Sequence, residues 1–131
     1  MSSLVGDDIR IDELPCGERI TVTLQGTGEF PGWMVEYVDD PVQLGMSGET
    51  AFIEGDATLL VRMGMWMQTM EGDGYHGPFD LLPTGTDQVR EMRLVENWEG
   101  VTHWAIGLDT AVPFAVTVLQ DPPRLVIDLS A

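Results

Sequence analysis

Carboxylates, two histidines, a single thiol and four tryptophans are the side chains through which this sequence could do chemistry. Asp39-Asp40 stands before Pro41 and Asp121 before Pro122. Paired carboxylates can act as acid and base, but an Asp ahead of a proline at the end of an alternating run is also what a turn requires. Recurrence at matching places assigns both to turn geometry. The loop Glu71-Gly72-Asp73-Gly74-Tyr75-His76-Gly77-Pro78-Phe79-Asp80 could wrap a hard cation, yet it lacks the ligand spacing and closing bidentate Glu of an EF-hand. A zinc site from His76 and His103 would need carboxylates to complete it. No Gly-x-Ser-x-Gly elbow surrounds Ser2, Ser3, Ser47 or Ser130, and Cys16 reads as an inert small residue with no histidine near it in sequence. No catalytic residues, no metal and no cofactor are expected.

The aromatic residues divide by position. Trp33, Tyr37 and Trp104 fall on the inward side of alternating runs and are expected in the core. Trp66, Tyr75 and Trp98 fall on the opposite side or in loops, where a flat apolar ring can stack on a sugar. With His76 they are the candidate ligand-binding residues.

Alternation of apolar and polar residues predicts strands over 8–14, 18–25, 33–38, 49–54, 57–67, 88–96, 101–108, 113–119 and 124–129. Gly, Pro, Asp and Ser occupy nearly every gap. Residues 84–93 could start a short helix capped by Thr86, but the alternation of Val89, Glu91, Arg93 and Val95 favours a strand. Residues 18–41 and 101–122 share one pattern: an alternating run, a break at Pro31 or Pro113, a second run, and a closing Asp-Pro. Both read as the same hairpin, and two hairpins that bury one face each are best buried against one another. The expected fold class is all-β, a β-sandwich of two related hairpin-containing halves. Residues 1–7 are expected to be a flexible segment and residues 8–131 the single domain. Val22, Val35, Val61, Met63, Trp104, Ile106, Val116 and Ile127 should be core. The other side of the 57–67 strand, Leu60, Arg62, Gly64 and Trp66, is mixed, so either a loop covers it or it is an open patch.

At 131 residues the chain suits one core. Its 22 acidic residues face 6 arginines and no lysine, for a net charge of −16. Such a surface repels phosphate backbones and anionic headgroups, so nucleic acid and membrane surfaces are poor partners. The charge instead suits solubility, in a salty medium if counterions screen it. One cysteine excludes an intrachain disulfide. No stretch approaches the roughly 20 apolar residues of a membrane span. Asp7, Asp8, Asp12 and Glu13 interrupt any signal-peptide core, so no signal peptide is expected in this chain, whether one was removed or the protein is not exported.

Several pieces, in order, resemble the AMIN-like domain, a relative of the amidase N-terminal domain of secreted and lipid-anchored bacterial envelope proteins. They are Pro31-Gly32-Trp33-Met34-Val35-Glu36-Tyr37, Ile53-Glu54-Gly55-Asp56-Ala57-Thr58-Leu59, Tyr75-His76-Gly77-Pro78, Trp98-Glu99-Gly100-Val101, Trp104-Ala105-Ile106-Gly107-Leu108 and Arg124-Leu125-Val126-Ile127-Asp128-Leu129. The resemblance implies a small β-sandwich, an extracellular or cell-envelope location, and a noncatalytic module that binds peptidoglycan or another cell-wall glycan. The alternative is a structural or assembly domain that contacts an envelope protein through its acidic surface.

Overall fold

The β-branched and apolar alternation of the first residues builds the first hairpin. β1 (Val5–Leu14) and β2 (Gly17–Gln25) pair antiparallel, with a bulge between Gly6 and Asp8. The chain then crosses to a second layer as β3 (Trp33–Val38), makes a small two-stranded flap from β4 (Val42–Gln43) and β5 (Thr50–Ala51), and continues as β6 (Ala57–Met63), β7 (Asp80–Leu81), β8 (Val89–Trp98) and β9 (Val101–Leu108). It crosses back for β10 (Phe114–Leu119) and β11 (Arg124–Ser130). This computed structural model describes residues 3–45 and 47–130.

Sheet A has the order β1-β2-β11-β10 and sheet B the order β3-β6-β9-β8-β7, all neighbours antiparallel. Sheet A is therefore assembled from the two ends of the chain, β11 sliding between β2 and β10. Its inward residues Ile20, Val22, Leu24, Leu125, Ile127 and Leu129 meet Leu59, Val61, Met63, Met92, Trp104 and Ile106 from sheet B in one core. Alternation puts each of these on one side of its strand.

One carboxylate fastens the layers. Glu18 of β2 is buried and accepts the backbone N–H groups of Asp87, Gln88 and Val89, the last two at 3.0 and 2.8 Å. A buried carboxylate needs such donors, because leaving it unpaired costs several kcal/mol. At the far margin Tyr37 does similar work: its hydroxyl donates to the Val112 carbonyl at 2.6 Å and accepts the Val112 N–H at 2.8 Å, with the ring edge-on to Phe114.

The all-β sandwich is as the sequence predicts, and residues 84–93 lead into a strand, not a helix. The two matching segments are not hairpins, however. β2 and β3 lie in different sheets, as do β9 and β10, so each segment is an arch that carries the chain from one layer to the other. The long hairpins are β1–β2, β8–β9 and β10–β11, with β4–β5 and β7–β8 as short ones. Periodicity fixes which side of a strand is apolar, but not which neighbour it bonds to.

Trp33 and Tyr37 share the inward side with Val35 as expected, but β3 is the margin of sheet B, so Trp33 stays 44% and Tyr37 36% exposed. Val35 of β3 and Val116 of β10, the end strands of the two sheets at the margin that Tyr37 clasps, are likewise only half-buried. The other expected core residues are buried. The ordered domain also starts before residue 8: β1 begins at Val5, and Leu4 packs in the core because the Gly6 N–H donates to the Trp66 carbonyl at 3.0 Å. Residues 1, 2 and 131 lie outside the described residues.

Candidate functional site

The outward side of sheet B is where the molecule becomes asymmetric. The β4–β5 flap folds down over it, and Val42, Ile53, Val95 and Ala105 form a second, smaller apolar cluster with Val38, Leu44 and Leu60 at its border. The flap can lie this close because β9 carries glycine at 107, where a Cβ would overlap the Glu54 carbonyl and press on the Ile53 side chain. Leu60 is thus covered, while Arg62 and Gly64, farther along the same side, border an open hollow with Met34 and Val101. Loop cover and open patch coexist on the one face.

A cleft of about 700 Å³ runs between the flap loop and β8. Leu44 and Gly45 form one wall; Val95 and Trp98 are among the β8 residues opposite. Two local structures hold it open. In the flap, the Ser47 hydroxyl donates to the Leu44 carbonyl at 2.9 Å and accepts the Glu49 N–H at 3.1 Å. At the other wall, β8 turns into β9 through Glu99 and Gly100, both with positive φ (51° and 74°), the geometry of a tight two-residue hairpin turn. That turn presents Trp98, 47% exposed.

Polar groups around the cleft are few. Asn97 is spent inward: its carbonyl oxygen accepts the Met67 N–H at 3.0 Å and its amide donates to the Gln68 carbonyl at 2.8 Å. Arg93 and Glu96 line the cleft, and the ion pairs among the described residues, Arg10–Asp12, Arg19–Asp128 and Arg90–Asp109, use neither. Behind them, Glu91 is buried and accepts the Glu54 N–H at 3.0 Å, which ties the end of the flap to β8. Burial first, then a hydrogen bond with Asp80, hold the Glu91 carboxyl above its ordinary range. His103, on the same face, is pushed below the usual histidine range, chiefly by burial, and its Nε2 has no hydrogen-bond partner.

The four residues expected to bind ligand do not form one site. Trp98 lines the cleft. Trp66 is half-buried under the β8–β9 turn, its indole nitrogen 3.8 Å from where a Cβ on Gly100 would sit, so these two tryptophans flank the same turn. Tyr75 is not an exposed plate. It is 4% exposed, its ring edge-on to Trp104 and Phe79, and its hydroxyl donates to the Pro78 carbonyl. Tyr75 plugs one end of the core because the long loop is a small structure of its own, with Tyr75 N–H donating to Met67 O and Thr69 N–H to Asp73 O, both at 2.8 Å. His76 is exposed and lines a separate hollow with Asp7, Asp8 and Asp73.

Among the described residues, no three or more His, Cys, Asp or Glu side chains are placed to hold a metal ion. His76 and His103 lie in different hollows, and Cys16 is exposed in the β1–β2 turn. The flap residues of the cleft were missed by sequence reading because β4 is too short to show a period. The signal that could have found them was the apolar trio Val42, Leu44 and Ile53 in a segment rich in turn residues.

A two-layer all-β sandwich with a flap over one outer face and an aromatic-walled cleft beneath it defines the class. The chain belongs to the AMIN-like domain family, whose model matches residues 4–131. No curated protein and no solved structure matches it. No helix among the described residues is long and apolar enough to cross a membrane.

Proposed function

We propose that this protein is a noncatalytic module of the bacterial cell envelope that holds a cell-wall glycan, peptidoglycan above all, in the cleft beside Trp98. The supporting observation is the half-exposed indole on the wall of a ligand-sized cleft, with Leu44 and Val95 as apolar surface and Arg93 and Glu96 as polar groups. A mostly apolar concavity with a few polar groups is the usual form of a small-molecule site. Trp98, at the β8–β9 turn that Trp66 also borders, is the stacking plate. His76 lies outside this cleft, and Tyr75 serves by keeping its loop closed. Membership in the family supports the envelope location.

Stacking, not net charge, supplies the affinity, because a chain of charge −16 gains nothing from an anionic polymer. The folded protein should co-sediment with purified peptidoglycan, and Trp98→Ala should release it with the fold intact. No co-sedimentation at either low or high salt, or full retention by Trp98→Ala, would overturn the reading. The exposed Trp98 would then be an anchor for a protein partner.

A further inference from the structure

Sheets end in strands whose outer N–H and C=O groups are unpaired, and natural sheets guard such margins with charge, proline, bulges or brevity. Three margins here are guarded. β1 has the bulge at Gly6 and Asp8 and carries Asp7, Arg10, Asp12 and Glu13; β7 is two residues long; β3 carries Glu36. β10 has none of these devices. It is six residues long, pairs with β11 in unbroken register, and contains no charge and no proline. The uncharged run extends over residues 110–120, in a chain with 22 acidic and 6 basic residues. Beside it, clasped through Tyr37, the β3 margin exposes Trp33 and Met34, and β10 itself exposes Leu119.

We propose that β10 is the docking edge for a second copy of this chain, the two strands pairing antiparallel about a twofold axis so that sheet A continues across the contact. A second copy brings another −16 charges, so a stable contact must keep carboxylates out of its centre. Neutral edge against neutral edge does so. The strand is also self-complementary: a register centred on Thr117 sets Thr117 opposite its own copy, Ala115 opposite Leu119 and Val116 opposite Val118, so paired residues share a face. Cross-strand Thr–Thr and apolar pairs are the favourable kind. A twofold contact of this type closes at two copies.

Sedimentation velocity over a wide protein concentration range, with reductant present so that Cys16 cannot link copies, tests this. The wild type should show a monomer–dimer equilibrium that strengthens from low salt to about 1 M, where the Debye length is roughly 3 Å. Thr117→Lys should weaken association at least tenfold even though it lowers the net negative charge, because it sets two ammonium groups opposite each other; Thr117→Val should retain it. In the wild type, hydrogen-exchange protection of the 114–119 amides should rise with protein concentration, a readout that stands even if the lysine variant misfolds. A monomer under every condition, a dimer indifferent to Thr117→Lys in a folded variant, or concentration-independent exchange in β10 would each overturn the proposal.

Discussion

The two outer faces of this sandwich rest on the same core and are finished differently. On sheet A the outward residues are settled among themselves: Thr21 faces Val126 across β2 and β11, and Arg19 donates to the Asp128 carboxylate at 2.6 Å. That face ends at water. On sheet B the outward residues support a third layer, with a second apolar cluster, a buried carboxyl at Glu91, an unpartnered imidazole nitrogen at His103 and the cleft by Trp98. A sheet face that needs only solubility is covered by threonines and ion pairs. One that carries buried, imperfectly satisfied polar groups has kept them at a cost in stability, which is the common signature of a site.

The largest effects should fall where the faces do not differ. Ile127 of sheet A and Ile106 of sheet B are both fully buried in the shared core. Truncating either to Ala should cost about 2–5 kcal/mol, read from denaturant midpoints, through lost transfer energy and a residual cavity. A neutral result at either would mean the core is not shared. The next test separates the faces. Ile53→Ala, under the flap, should cost about 2 kcal/mol and loosen the cleft, whereas Thr23→Ala on the outer face of sheet A should stay within about 0.5 kcal/mol. Equal costs would remove the distinction.

Most strands were legible because a two-residue period survives in the sequence wherever one side of a strand is buried. Val61 and Met63 announce the core in this way, and burial continues through Met65 and Met67 although β6 itself ends at Met63. What was not legible needed information from elsewhere in the chain. The arches resembled hairpins because the run around Val22 carries no mark saying that its partners are Ile9 and Leu125 instead of Val35. Tyr75 looked like a loop aromatic because the space it fills is shaped by Trp104, which is distant in sequence. Trp98 was legible as an exposed ring; of the flap opposite it, the strand at 49–54 was legible, while β4 and the loop that walls the cleft were not.

Smaller effects sharpen the contrast through charge. The Glu91 carboxyl is held above its ordinary range, so the folded state binds that proton more tightly than the unfolded chain does. Its contribution to stability is complete below the unfolded carboxyl range and is lost as pH rises through the raised value. Glu91→Gln, which keeps an acceptor for the Glu54 N–H, should therefore melt higher than the wild type at about pH 7 and show no advantage below about pH 4. A constant gap across that range would mean the Glu91 carboxyl titrates alike in the folded and unfolded chain. The smallest expected effect is global: the melting temperature should rise modestly with salt as the −16 charges are screened, levelling off near 1 M, where the screening length is roughly 3 Å. A flat profile would place the carboxylates too far apart to repel.

Glu18 ties the loop before β8 to a strand that lies some seventy residues earlier, and sheet A itself cannot exist until β11, from the other end of the chain, has arrived between β2 and β10. Neither layer is a segment that could be cut out and kept. A chain still emerging during synthesis holds β1 and β2 as a lone hairpin, marginal in water, until residues 124–130 are free to insert. The domain therefore becomes a folded object only at its final strand, and a truncation that removes β11 should abolish the whole sandwich and not merely trim one sheet.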